Sequence, residues 1–339
     1  MAKQALDRKP TLLQRLGVAC YVYFIPCFAV VNLLIVLSAI YTWWLCVPWL
    51  LYVLYINIGP GRQAARDGKW PTPLRRWWLW KHCADYFPTQ LIKTADLDPE
   101  ERYIFVVHPH GIVTMFAWPC FDTEPTGFSA KFPGIDIHPM TLDINFKIPF
   151  MREFLLLHGV CNVSRDACLM VLGQGSGKAI LIAPGGAQES LYTEPGTYDL
   201  VLDRRKGFVR IALQTGAKLV PVIGFGEPEL YTARRTAPGS MRAMMQKMLK
   251  TMLGFTLPEA VGVGLFTKLG LMPYPRPLNV VVGKPVSFDP SSLDLNKEQS
   301  LDVFVDAYHA QYKTALQDLW QQHKNTFAKE RRRSLRIVE

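Results

Sequence analysis

The 339-residue sequence has only 7 cysteines, at positions 20, 27, 46, 83, 120, 161 and 168, and no C-x-x-C pair. A secreted disulfide scaffold would be shorter and denser in cysteine, and a structural zinc site would need closely paired ligands. The expectation is reduced thiols in a cytosol-facing protein. A G-x-S-x-G elbow is also missing, which argues against a serine esterase. Gly173-Gln-Gly-Ser-Gly-Lys178 resembles a phosphate loop, but Leu172 stands where the first glycine belongs and Ala179 where Ser or Thr is required. No internal repeat is present. The largest absence is of charge: between Arg15 and Arg62 lie 46 residues without one Asp, Glu, Lys, Arg or His.

As one helix that stretch would be roughly 70 Å long, about twice the ~30 Å hydrocarbon core of a bilayer. Two passages fit better, with a break near Ser38 to Thr42 and kinks at Pro26 and Pro48, as a hairpin or a re-entrant wedge. A cleaved signal peptide would be shorter and would end in small residues. The basic residues flank the stretch. Residues 1–15, 62–81 and 324–339 carry +3, +5 and +4, which together exceed the whole-chain +10 and leave −2 for the remainder. By the positive-inside rule both termini face the cytosol. A nucleic-acid-binding face would lie on the folded domain, so no nucleic-acid partner is expected, whereas an anionic bilayer surface suits the pattern. Seven of nine tryptophans fall between residues 43 and 80, as an interfacial belt would place them. The domain plan is a basic cytosolic N-terminus (1–15), a membrane hairpin (16–61), a basic Trp-rich interfacial segment (62–88), a cytosolic catalytic domain (89–323) and a basic tail (324–339).

Beyond Pro88 the pattern is that of an α/β protein. Apolar runs at 103–107, 179–183, 219–225 and 279–282 read as buried strands, and the alternation of Leu142, Ile144, Phe146 and Ile148 with polar residues reads as a half-buried one. Gly207 to Gln214, closed by Gly216, reads as a helix, and residues 298–323 as a terminal amphipathic one. Strands alternating with helices imply a mostly parallel sheet covered on both faces.

The first strand runs into His108-Pro-His110-Gly111. Ligands collect at the carboxyl ends of strands in such sheets, so both histidines are candidates for proton transfer, and Gly111 would let a substrate approach the backbone. No further His, Cys or carboxylate cluster completes a metal set. The second strand end, Ala183-Pro-Gly185-Gly186-Ala-Gln-Glu189, offers backbone N–H groups suited to a developing oxyanion, with Glu189 placed to hold a histidine in the needed tautomer. Arg204, Arg205 and Lys206 precede a helix start and suit phosphate groups, as on acyl-CoA.

With Tyr86-Phe-Pro88, Arg205-Lys-Gly-Phe208, Leu219-Val-Pro-Val222, Phe225-Gly-Glu227, Val282-Gly-Lys-Pro285 and Tyr308-His309, these motifs follow one another along nearly the whole chain. In this the chain resembles the type 2 diacylglycerol acyltransferases, together with monoacylglycerol and wax-alcohol acyltransferases. The resemblance implies an integral endoplasmic-reticulum enzyme, often reaching lipid droplets, that moves a fatty acyl group from acyl-CoA to diacylglycerol or a related neutral-lipid alcohol. It implies a glycerolipid-acyltransferase-like core and no cofactor beyond acyl-CoA as co-substrate, and it leaves a homo-oligomer open. Under it His110, oriented by Glu189, is the expected base, His108 the alternative, and Gly111, Gly185 and Gly186 the backbone around the oxyanion. The glycerophosphate acyltransferase signature H-x-x-x-x-D occurs literally as His138-Pro-Met-Thr-Leu-Asp143. Asp143 opens a strand-like alternation, and the motif lies too close to the block at 152–165, so His138 is the weaker choice of base.

Overall fold

A computed structural model describes residues 9–38, 41–234, 236, 239–241, 244–246, 248, 259–289 and 300–338. Residues 1–8 of the basic N-terminus, the centre of the break between Ser38 and Thr42, and the first two residues of the expected terminal helix lie outside the described residues.

The core is a seven-stranded sheet built from β1 (Gln90–Lys93), β2 (Tyr103–His108), β3 (Asp136–Thr141), β4 (Cys161–Asn162), β5 (Lys178–Ile182), β7 (Lys218–Phe225) and β10 (Asn279–Val282). Its order is β1-β10-β7-β2-β5-β3-β4, and every pair is parallel except β10 with β7. All six residues of β2 are buried. Successive side chains point to opposite faces, so Phe105 and Val107 enter one apolar cluster while Ile104 and Val106 enter the other. That double burial is why the strand is an unbroken apolar run in the sequence.

On one face lie α1 (Leu12–Val22), α4 (Leu79–Tyr86) and the aromatic segment Trp118–Asp122. On the other lie α6 (Arg165–Leu172), α8 (Gly207–Thr215) and α9 (Leu301–Phe327). Gly216 ends α8 in the left-handed conformation, as expected of a C-cap. Helix α1 corrects one boundary. It overlaps the stretch assigned to the hairpin from residue 16, yet Val18 and Ala19 are core residues, and a Cβ on Gly17 would come within 2.8 Å of the Cys83 backbone nitrogen. The apolar pair proper is therefore α2 (Phe24–Ser38) and α3 (Trp43–Asn57), where Val30, Leu33, Leu34, Leu50, Leu51 and their neighbours are exposed. No single described helix is long and apolar enough to cross a membrane; α1 and the Pro26–Ser38 part of α2 qualify only jointly, with a 59° bend between them.

The strand expected at 142–148 is instead a 3₁₀ turn, Asp143–Lys147, of which only Phe146 is buried. The Asn145 N–H returns to the Leu142 carbonyl and its side chain to Thr141, while Asp143 binds Asn162. Short polar side chains that bond to nearby groups compete with a strand ladder, and here they prevail. Met151–Leu156 follows as α5.

Two sets of charges also depart from the expected membrane-facing arrangement. Arg75 is buried, donating to the carbonyls of Ile137 at 2.9 Å and Phe121 at 2.8 Å. The basic tail is part of the fold: β11 (Arg336–Ile337) pairs in parallel with β6 (Asp199–Leu200). Arg333 and Arg336 both grip the fully buried Asp199 carboxylate, Arg333 at 2.5 Å. Trp80 likewise belongs to the core rather than to an interfacial belt, while Trp43, Trp44 and Trp78 are exposed. Asp199→Ala is expected to lower stability by about 3 kcal/mol, the low end for a broken buried pair because Arg336 is half exposed. Thermal melts of the two proteins check it; equal midpoints would mean that the tail contributes nothing to the fold.

Candidate active site

β2 and β5 are neighbours, with Val106 opposite Ile182, so the histidine turn and the glycine turn emerge side by side at their carboxyl ends. The short helix α7 (Gly186–Ser190) carries Glu189 back under the first turn. Glu189 Oε1 accepts the backbone N–H of His110 at 2.5 Å, and Oε2 accepts that of Val201 at 2.8 Å. A Cβ on Gly185 would lie 2.1 Å from Glu189 Oε2, so glycine is needed there to admit the carboxylate. This corrects the role expected of Glu189, which holds the backbone of the histidine turn and not the imidazole. Burial pushes its carboxyl up to about 7, against the two N–H donors that favour the charged form.

The ring of His110 is oriented closer to home. Nδ1 lies 3.2 Å from the Gly111 carbonyl, which can only accept, so Nδ1 carries the proton and Nε2 keeps a lone pair. The residue is half-buried, and loss of solvent lowers its pKa below the usual histidine range, keeping the imidazole neutral at physiological pH. His108 differs in every respect. It is fully buried, its Nε2 is 2.9 Å from the Tyr312 hydroxyl on α9, and burial drives its pKa down to about 3.

The space beside Gly111, expected to admit substrate, is filled from within. Gly111 has φ +60°, and a Cβ there would fall 2.5 Å from Cγ of Glu227. Glu227 accepts the N–H groups of Met115 at 2.9 Å and Phe116 at 3.1 Å, so two buried carboxylates brace the turn, one at its entrance and one at its exit. Sequence reasoning gave no role to Glu227 or Tyr312. The motif Phe225-Gly-Glu227 was the signal available for Glu227, and only the fold shows what it holds.

Burial raises the Glu227 carboxyl to about 8. A carboxyl that ionises higher in the folded than in the unfolded chain stabilises the fold below its unfolded value and loses that contribution as pH rises through the folded one. Relative to Glu227→Gln, the wild type should therefore lose stability between about pH 4.5 and 8. Parallel slopes in denaturant unfolding across that range would exclude this.

The glycine turn is partly spent on itself. The Gly186 N–H closes onto the Ala183 carbonyl at 3.2 Å, so it is not the free oxyanion donor expected of it, whereas no atom lies within 4 Å of where its Cβ would stand. Of the three expected phosphate-binding cations, Lys206 pairs with Asp306 at 2.6 Å. Arg204 is exposed and has no partner among the described residues, and Arg205 is half-buried, with a charge that acts on Glu189. His138 is not paired with Asp143. It stands on β3, which is separated from β2 by β5, and its ring meets Asp136 and the Gly159 carbonyl, both at 3.3 Å.

The mostly parallel sheet gathers the histidine turn and the glycine turn at adjacent strand ends, where enzymes of the α/β class bind their ligands. The chain belongs to the diacylglycerol acyltransferase family, whose model matches residues 35–338. It is 40% identical to diacylglycerol O-acyltransferase 2A of Umbelopsis ramanniana, over 96% of this chain and 87% of that protein. It is 39% identical to diacylglycerol O-acyltransferase 2 of Xenopus tropicalis, over 95% and 85%, and 39% identical to acyl-CoA wax alcohol acyltransferase 1 of Homo sapiens, over 86% and 91%. The resemblance read from the motifs is thus borne out. Among solved structures, the 1-acyl-sn-glycerophosphate acyltransferase PlsC of Thermotoga maritima is similar over 91% of this chain and 96% of that one, at 11% identity and a TM-score of 0.40. So loose a likeness carries no weight.

Proposed function

We propose that this chain transfers a fatty acyl group from acyl-CoA to diacylglycerol, with His110 as general base. The observation that carries the mechanism is the half-buried His110 imidazole at the end of β2, whose Nδ1 is committed to the Gly111 carbonyl. Nε2 takes the hydroxyl proton as the acceptor oxygen attacks the thioester carbonyl. The resulting oxyanion faces the Gly185 N–H, and its collapse expels the thiolate of coenzyme A, which recovers the proton from the imidazolium. Arg204 and Arg205 supply charge for the phosphates of acyl-CoA.

The acceptor is dissolved in lipid, and the position of the histidine turn beside α1 supports a site near the membrane surface. Tyr21 on α1 reaches the Val113 carbonyl at 3.5 Å, so the turn lies beside the helix that leads into α2 and α3. Each of those helices has 15 residues, about 22 Å, short of the ~30 Å hydrocarbon core. We read the pair as a re-entrant wedge in the cytosolic leaflet of the endoplasmic-reticulum membrane, a form that a lipid-droplet monolayer also admits. The likeness to a wax alcohol acyltransferase supports a second reading, transfer to a long-chain alcohol. Purified protein with labelled acyl-CoA and a panel of diacylglycerol, monoacylglycerol and fatty alcohol is expected to yield chiefly triacylglycerol. Wax ester as the main product would select the second reading, and no transfer to any acceptor would overturn both.

A further inference from the structure

β8 (Thr232–Arg234) pairs with β9 (Glu259–Val261), and the chain then folds back on itself in a turn paired across its base. Gly262 and Gly270 exchange both backbone hydrogen bonds, at 3.0 and 3.2 Å, as do Val263 and Met272, at 2.7 and 2.8 Å. The Gly264 N–H reaches the Thr267 carbonyl at 3.0 Å, and the Thr267 hydroxyl donates to the Leu269 carbonyl at 2.7 Å. No side chain fits at the crossing: a Cβ on Gly262 would lie 1.9 Å from the Met272 carbonyl oxygen. The base is anchored by fully buried Met272 and by Val263 and Leu265, which pack against the core.

A turn stitched in this way holds its tip side chains where they are. Phe266 is 79% exposed, Leu269 71% and Leu271 59%, with Lys268 exposed among them. Three large apolar groups on one rigid tip mark a surface that another phase covers. Its surroundings identify that phase. Arg15 on α1 donates to the Leu265 carbonyl at 2.8 Å, and the outward residues of α1 on either side of it, Leu12, Leu13 and Leu16, are exposed as well. α1 is 11 residues, about 16 Å, long, and it hands over directly to α2. Exposed apolar side chains therefore lie on the turn, on the amino-terminal half of α1 beside it, and again on α2 and α3. Lys268, an amphipathic side chain at the rim, suits anionic headgroups.

We propose that the 265–271 turn is a second membrane contact, inserted shallowly into the same lipid surface as α2 and α3. Two separated contacts fix the tilt of the sheet relative to the lipid, which a single hinged wedge would leave free. The histidine turn, tied to α1 between them, then faces the phase that holds the acceptor. The inference rests on the membrane reading above, and its test separates the two. Full-length protein with Cys20, Cys27 and Cys46 replaced is labelled with an environment-sensitive nitrobenzoxadiazole probe at Leu34→Cys, Phe266→Cys or Glu100→Cys. It is then bound to phosphatidylcholine–phosphatidylserine vesicles containing spin-labelled lipid.

Glu100 is exposed beyond the amino end of β2, away from the site. Probes at 34 and 266 should be quenched several-fold more than the probe at 100, the one at 266 best by shallow spin labels. Quenching at 34 without quenching at 266 overturns the second contact and leaves the membrane reading intact; no quenching at either site overturns both. Quenching at 266 alone removes the wedge and with it a second contact beside α2 and α3. In the full chain, Phe266→Ser with Leu269→Ser and Leu271→Ser should raise KM for a vesicle-dissolved acceptor several-fold and leave KM for a short-chain, water-soluble one unchanged. Equal losses for both acceptors would overturn a role in facing the membrane.

Discussion

His110→Ala is expected to lower triacylglycerol synthesis by about 10²- to 10⁴-fold, the usual worth of a positioned general base, with membrane binding and thermal stability unchanged. Stability should hold because the side chain is half-buried and makes one hydrogen bond, to its own neighbour's carbonyl. The turn itself is held through backbone N–H groups that alanine retains. The pH profile provides a second check. With its pKa below the ordinary value near 6.5, the imidazole stays an effective base through neutral pH, so the acid limb of kcat/KM should fall below that value. Near-normal turnover in His110→Ala would transfer the role elsewhere. His108 is a poor recipient, since Tyr312 occupies its Nε2.

The second large effect is expected from Glu189→Gln. An ionised carboxylate satisfies both the His110 and Val201 N–H groups, whereas an amide offers one oxygen and turns its NH₂ toward the other donor. An unsatisfied buried donor costs about 1–3 kcal/mol, which, felt at the turn, corresponds to roughly 10- to 100-fold in rate. Because the carboxylate does not touch the imidazole, kcat should fall while KM for acyl-CoA stays in place. A raised KM for acyl-CoA would mean that the substitution disturbs substrate binding and not the turn, and full activity would remove Glu189 from the site.

How much of this was legible in the sequence depended on whether a neighbour from elsewhere in the chain was needed. β2, β5, β7 and β10 were readable because strands covered on both faces must be apolar throughout, and α8 because Gly216 ends it in a conformation glycine favours. The pairing of the histidine turn with the glycine turn followed from their places at strand ends. The partners within that pairing did not. Glu189 meets a backbone amide, Glu227 closes over Gly111, and Tyr312 arrives on a helix two hundred residues after His108. The charges of Arg75, Arg333 and Arg336 looked like a membrane-binding surface because a guanidinium in a sequence does not reveal whether its partner is a headgroup, a carbonyl or a buried aspartate.

The docking of β11 has a consequence for the order in which the enzyme becomes competent. β11 pairs with β6 at Asp199 and Leu200, the next residue supplies the Val201 N–H to Glu189, and Glu189 holds His110. The exposed apolar pair, α2 and α3, ends at Asn57, whereas this brace is completed only at Ile337. At the usual 5–20 residues per second of synthesis, the two are separated by about 15 to 55 s. Under the proposed wedge, the nascent chain would reach the lipid surface well before its histidine turn is set, and acyl transfer would begin only where the acceptor is already at hand.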